Sequence, residues 1–361
     1  MKFRKFITAL LGIAVSAMFI GGCGSASPGT ESGDKEEQEK AQVQEKTKEE
    51  AQKGQEAAEY PLRIAHAFGE TVLEEEPENI VTIGWGNQDT ALALGTAPVG
   101  VSAANFGELT ENSLHPWTDE AFRDLGVEKP VVFDDVDGLD YEAISDAGPD
   151  VILASYSGIT EEEYNLLSEI APVVAYPENP WQTTWREQTI LNASGMGMQK
   201  EGEELVDRTE ELIAAKTAEF PELAGTKTAF FWISPDDFST FYVYLPADPR
   251  AAYLTDLGLE FPESVKKMAE GTSEFSITVS RENANELADV EMMVVYGNEN
   301  LLKALQEDEL MSQIPAVKNG AVVLMDENSS LGAAATPSIL SIPSEIEEYL
   351  KLLSQAREKV K

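Results

Sequence analysis

Leu139-Asp140-Tyr141-Glu142-Ala143-Ile144-Ser145-Asp146-Ala147-Gly148-Pro149-Asp150-Val151-Ile152-Leu153-Ala154 is the stretch on which the fold turns. Residues 141–147 read as a helix, Gly148-Pro149-Asp150 stops it, and residues 151–154 form a continuous apolar run. A short apolar run bounded by turn residues is the pattern of a strand covered on both faces. The same rhythm extends outward. Residues 80–84 read as a strand, 89–94 as a short helix and 98–101 as another strand; 161–170 then read as a helix and 173–175 as a strand. Alternation of this kind predicts a mostly parallel sheet covered by helices.

From about residue 184 to 220 the strand signal stops. Leu205, Leu212, Ile213 and Phe220 fall at helical spacing between charges, Gly195-Met196-Gly197 breaks the chain before them, and Pro221 stops the helix. The α/β rhythm then resumes, with strands over 227–233, 241–245, 292–296 and 321–325. Helices follow over 250–257, 282–287, 300–305 and 341–359. The fold class is therefore α/β: two Rossmann-like lobes with mostly parallel sheets, over residues 61–190 and 222–361, joined by one long backbone helix within 191–221.

The N-terminus carries no fold. Lys2, Arg4 and Lys5 precede an apolar run over residues 6–20 that ends in Ile20-Gly21-Gly22-Cys23. A basic start, a short apolar core and small residues before a cysteine make residues 1–22 a lipoprotein signal peptide. Cys23 becomes the lipidated first residue of a membrane-anchored protein; the alternative is an uncleaved anchor around a chance cysteine. Cys23 is the only cysteine, so no disulfide framework, thiol nucleophile or thiolate metal site remains. Residues 23–60 are a polar tether rich in Glu, Lys, Gln and Ala.

The net charge is −39. The signal peptide contributes +3 and residues 24–60 contribute −5, which leaves −37 on residues 61–361. Such a surface repels nucleic acid and anionic lipid and suits a basic partner, although solubility alone explains part of it.

Four patterns in order carry a resemblance. They are Pro77-Glu78-Asn79-Ile80-Val81, running through Gly84-Trp85-Gly86 to Pro98-Val99-Gly100-Val101; Glu142-Ala143-Ile144 before Gly148-Pro149-Asp150-Val151-Ile152; Val279-Ser280-Arg281-Glu282 before Met292-Met293-Val294-Val295; and Pro315-Ala316-Val317-Lys318-Asn319-Gly320 before Val322. From residue 61 to 361 the chain resembles the periplasmic binding proteins with a helical backbone between their lobes, in their iron–siderophore and vitamin B12 branch. The resemblance implies a monomer that is not an enzyme and has no resident cofactor. It would carry an Fe(III)–siderophore complex to the permease of an ABC importer, from a lipid anchor on the outer face of the membrane.

An iron already coordinated by its chelator needs aromatic walls and a few donors, not protein metal ligands. Loops at strand ends offer Trp85 and Asn87, Tyr156 and Ser157, Trp181, Trp185 and Arg186, Trp232 and Ser234, Phe241, Tyr242 and Tyr244, and Tyr296. The ligand set expected from these is Trp85, Asn87, Tyr156, Trp185, Arg186, Trp232, Tyr242 and Tyr296. Each aromatic has core packing as its alternative, and Arg186 has a salt bridge near a helix start. Alternation places Tyr242 and Tyr244 on one face and Phe241 on the other. The resemblance also implies that Glu142 and Glu282, one in each lobe, dock onto arginines of the permease, against the alternative of carboxylates favoured by a helix dipole.

Other chemistry is poorly represented. His66 and His115 are the only histidines and form no metal-ligating cluster in sequence. No nucleophile elbow, phosphate loop or His-Glu-x-x-His occurs, and Asp134-Asp135 and Asp236-Asp237 read as solvated turns. Few basic residues at the candidate loops favour a near-neutral ferric hydroxamate over a trianionic catecholate. Another iron chelate, heme, cobalamin, or a structural or adhesion role on the same scaffold stay open. Cys23→Ala should move the full-length protein from the membrane to the soluble fraction; retention at the membrane would instead support an uncleaved anchor.

Overall fold

The computed structural model describes residues 58–361 except Val136 and Asp236. The signal peptide, Cys23 and nearly all of the tether lie outside the described residues.

The first lobe begins with a hairpin, β1 (Leu62–His66) and β2 (Gly69–Leu73), which hydrophobic runs alone did not reveal. Its main sheet comprises β3 (Ile80–Thr82), β4 (Gly100–Ser102), β5 (Val132–Phe133), β6 (Val151–Ala154) and β7 (Val173–Ala175). These lie in the order β5-β4-β3-β6-β7, all parallel. Every residue of β3, β6 and β7 is buried, as a strand covered on both faces requires. The chain winds outward from β3 to β5 and then crosses to β6, so the switch point lies between β3 and β6, where loops diverge and a crevice opens.

The second sheet repeats the plan with β8 (Thr228–Trp232), β9 (Thr240–Tyr244), β10 (Ser276–Ser280), β11 (Met292–Tyr296) and β12 (Val322–Met325) in the order β10-β9-β8-β11-β12. Here β9 runs antiparallel to both neighbours, so this sheet is mixed. Its switch point lies between β8 and β11. The predicted 282–287 helix is a 3-10 helix, Arg281–Leu287.

The linking element expected over 191–221 is two helices, Trp185–Gly195 and Gln199–Thr217. The break falls at Met196-Gly197-Met198, where Gly197 has φ +72°. Gly202 lets the second helix pack closely on the first, because a β-carbon there would collide with Ala193. Apolar residues of both linking helices, including Trp185, Val206 and Ile213, enter the core of the second lobe together with Ile346, Tyr349, Leu350 and Leu353 of the C-terminal helix Ser341–Arg357.

The lobes also meet at Asp89, in the first turn of the helix Asn87–Ala93. Its carboxylate is 1% exposed and accepts hydrogen bonds from Trp117 Nε1 (3.0 Å), Thr118 Oγ1 (2.8 Å) and the hydroxyl of Ser338, just before the C-terminal helix. Burial raises its pKa to about 6, against the lowering effect of these donors. The folded state therefore holds this proton more tightly than the unfolded chain. The resulting stability is fully present below the unfolded pKa of about 4 and is lost as pH rises through about 6. Between pH 4 and pH 7, urea denaturation of wild type should lose about 2–3 kcal/mol relative to Asp89→Asn. Parallel pH profiles would remove Asp89 as the cause.

Candidate functional site

The site grows from the two exits at the first switch point. After β3 the chain continues through Ile83, whose N–H donates to Leu153 O (3.0 Å), into Gly84 with φ +82°. A β-carbon at Gly84 would lie 2.5 Å from Tyr156 O, so only glycine allows the two exits to run this close. Trp85 N–H then donates to Tyr156 O (3.2 Å), which sets Trp85 and Tyr156 side by side.

Behind them stands a buried amide cluster. Asn87, with no exposed surface, donates from Nδ2 to Ile83 O (2.7 Å) and Tyr156 O (3.0 Å). Its Oδ1 accepts from Ser155 Oγ, Tyr156 N–H, Gln188 Nε2 and Asn192 Nδ2, at 2.9–3.1 Å. Gln188 Nε2 also donates to Trp85 O (2.7 Å). Gln188 and Asn192 stand on the helix Trp185–Gly195, so the linking helix directly fixes the backbone that presents Trp85 and Tyr156.

Aromatic rings form an arc from one lobe to the other. Trp181 lies 5.4 Å edge-on from Tyr156 and 5.7 Å from Trp85; Trp85 stacks at 6.4 Å with Phe106; Phe106 meets the Tyr296 ring edge-on at 5.3 Å. Trp181 sits at φ +60°, a left-handed conformation that costs a bulky residue about 1 kcal/mol or more. Its indole lies over Gly158, where any side chain would collide with it. The Phe106 loop reaches across to the second lobe. A β-carbon at Gly107 would be 2.5 Å from Ala333 Cβ, and Ser330 Oγ donates to Glu108 (2.9 Å).

Under this arc lies Arg250, in the first turn of the helix Pro249–Asp256. Its guanidinium stacks 4.0 Å from the Tyr244 ring and is gripped at two points by Asp248, from Nε to Oδ1 (2.8 Å) and from Nη2 to Oδ2 (2.6 Å). Burial alone would lower the pKa of Arg250, and the Asp248 carboxylate more than offsets this, so the group stays cationic. Burial pushes the hydroxyl pKa of Tyr156 and Tyr296 well up while the field of Arg250 pulls the other way. Both remain neutral hydroxyls at working pH.

Two cavities flank the arc. One of about 220 Å³ in the first lobe is lined by Trp85, Trp181, Ser157, Asp135 and Glu163. One of about 270 Å³ in the second is lined by Tyr296, Asn298, Asp326 and Glu327. Among the described residues no group of three or more His, Cys, Asp or Glu is arranged to hold a metal ion.

Of the expected ligand residues, the structure brings together Trp85, Tyr156 and Tyr296. Asn87 lies behind the wall, where its amide is fully used by backbone and neighbouring side chains. Trp185 and Arg186 are placed elsewhere. Trp185 is 2% exposed within the second lobe's core and donates Nε1 to Asp256 (3.0 Å). Arg186 pairs with Asp256 (2.9 Å) and Glu210 (2.5 Å) and stacks on Trp185 at 4.3 Å. These two residues pin the linking helix to the second lobe. Trp232 and Tyr242 pair at 5.6 Å across β8 and β9, one step outward from Phe230 and Tyr244, and Tyr242 is 41% exposed. Phe241 is buried on the opposite face, as alternation requires. Glu142 and Glu282 are both exposed at helix starts. His66 is buried against Thr71, and His115 stacks on Trp117 at 4.7 Å. Phe106, Asp248 and Arg250 were not singled out from sequence. Asp248-Pro249 does carry the signature of a helix start, with the Asp248 side chain accepting from Arg250 N–H (2.9 Å).

Two α/β lobes joined by linking helices, with an aromatic crevice at their switch points, have the architecture of a solute-binding protein. Residues 80–329 match the family described as periplasmic binding protein, and the chain belongs to that family. The iron-uptake ABC transporter substrate-binding protein PiaA of Streptococcus pneumoniae TIGR4, solved in complex with ferrichrome, is 47% identical with a TM-score of 0.80. That match covers 83% of this chain and 100% of PiaA. A second PiaA structure matches at 46% identity with a TM-score of 0.77 over 83% of this chain and 100% of that one. YhfQ of Bacillus subtilis (strain 168), described as an ABC transporter substrate-binding lipoprotein, is 26% identical over 161 residues, 44% of this chain; the match spans about half of that protein, 47%.

Asn87→Ala would strand the donors of Ser155, Tyr156, Gln188 and Asn192 in a buried site. It should lower unfolding stability by about 2–4 kcal/mol in urea. A change within about 0.5 kcal/mol would show that the cluster is not under tension from that amide.

Proposed function

We propose that this chain captures a ferric siderophore of the hydroxamate type outside the cytoplasmic membrane and delivers it to the permease of an ABC importer. The observation that carries this reading is the arc of Trp181, Trp85, Phe106 and Tyr296 above Arg250 and its ring of tyrosines. A trihydroxamate complex presents an apolar, curved carbon skeleton around an iron whose coordination is complete. Aromatic faces match the skeleton. Neutral hydroxyls of Tyr156 and Tyr244 and the N–H groups of Arg250 suit the iron-bound oxygens as donors, while the Tyr296 hydroxyl donates to Gly332 O (3.3 Å).

Charge separates the ligand classes. The cleft offers one guanidinium, already paired with Asp248, while Asp135, Glu163, Asp326 and Glu327 line its two sides. A trianionic catecholate complex would meet repulsion there, and a neutral or cationic hydroxamate would not. The resemblance to PiaA in its ferrichrome complex supports the same choice. Exposed Glu142 and Glu282 fit the role of docking carboxylates on a strongly acidic surface, and the lipobox at Cys23 accounts for anchoring at the outer face of the membrane.

Tryptophan fluorescence of the mature protein, titrated with ferrichrome, should quench saturably at sub-micromolar ligand. Arg250→Gln should weaken binding by about 10- to 100-fold, the range for a lost charge-assisted hydrogen-bond donor. Arg186→Ala should weaken it far less, because Arg186 is committed to Asp256 and Glu210. The absence of a saturable response to ferrichrome, or a reversed ranking of the two arginine variants, would overturn this assignment.

A further inference from the structure

Arg250 is a buried cation packed on the Tyr244 ring and close to Tyr156 and Tyr296, which belong to the aromatic wall, and such a residue would ordinarily attract anions. Asp248 removes that attraction. Its carboxylate has no exposed surface and engages Arg250 through both oxygens, while 14% of the Arg250 side chain remains exposed. The pair is joined by two hydrogen bonds and is close to neutral in sum, so at the distance of a bound ligand the two fields largely cancel. What Arg250 keeps is direction: its remaining N–H groups face the Tyr244 and Tyr296 hydroxyls, with Nη1 3.4 Å from Tyr244 Oη. It acts as a placed donor without acting as an anion trap.

Nothing in the fold alone requires a carboxylate at this position. Asp248 caps the helix Pro249–Asp256 by accepting from Arg250 N–H (2.9 Å), a task that asparagine and serine perform equally well. The second oxygen, on Arg250 Nη2, does nothing for the helix. Among the described residues, the charged side chains that line the two flanking cavities, Asp135, Glu163, Asp326 and Glu327, are all negative.

We infer that Asp248 is a specificity-determining residue, which masks the charge of Arg250 so that the crevice admits neutral and cationic ferric complexes and excludes polyanionic ones. This rests on the ligand reading above and adds to it the residue that decides ligand charge. Exclusion is then achieved by cancelling an attraction, which is a way of discriminating against the wrong partner as real as a steric clash.

The test uses the mature protein and two probes of different charge, ferrichrome and a ferric tricatecholate, with dissociation constants measured at low and high salt. Wild type should bind ferrichrome far more tightly than the tricatecholate. Asp248→Asn keeps the cap and the Nε contact but leaves Arg250 uncompensated. The ratio of tricatecholate to ferrichrome affinity should rise by about tenfold or more, and the gain should shrink at high salt. The double variant Asp248→Asn/Arg250→Gln should lose that gain. Circular dichroism and Tm establish that each variant folds, and Asp248→Ser supplies a second capping variant if the first does not. An unchanged ratio in a folded single variant would overturn the inference, as would wild type binding both probes equally well. Wild type binding neither probe would instead remove the siderophore reading itself.

Discussion

The Asn87 side chain has all of its hydrogen-bonding capacity engaged inside the protein. It holds the exit of β3 through Ile83 O, the exit of β6 through Tyr156, and the linking helix through Gln188 and Asn192. Asn87 has no exposed surface, so bulk solvent does not reach these bonds, and one side chain ties the three elements together. The position of Trp85 and Tyr156 in the crevice depends on this arrangement. At the far end of the same helix, Trp185 and Arg186 reach Asp256 of the second lobe. One helix is therefore tied to the backbone at the switch point of one lobe and to the core of the other.

The electrostatic plan has two scales. Taken as a whole the chain is strongly acidic, with a net charge of −39. Beside the aromatic arc the Arg250 guanidinium is balanced by Asp248, which leaves aromatic faces and neutral hydroxyls as the prominent features there. These two scales do not conflict. Exposed charges are screened within about 8–10 Å at moderate salt, whereas buried pairs such as Asp248–Arg250 keep their full directional effect.

Much of the architecture was legible because it is written in local apolar patterning. The runs at residues 80–82, 151–154, 173–175 and 292–296 became fully buried strands at the predicted places. The glycine break before the main linking helix likewise appears where Gly195-Met196-Gly197 suggested. What was missed has weak or mixed patterning. The β1–β2 hairpin alternates with charged residues, and β10, Ser276–Ser280, is only partly buried at a sheet edge.

The sequence by itself determined most of the order of strands and helices, the two-lobe plan and the aromatic character of the loops, because each follows from neighbours a few residues apart. Only the tertiary structure decided which arginine lies among the tyrosines beside the aromatic arc. Arg186 looked free beside Trp185, yet its partners Glu210 and Asp256 lie 24 and 70 residues away in the chain. Arg250 looked like one more helix-start residue, yet folding brings Tyr156 and Tyr296 around it from 94 residues before and 46 after. A charge has no local pattern that reveals its partner; the partner is set by which distant surfaces are brought together when the core closes.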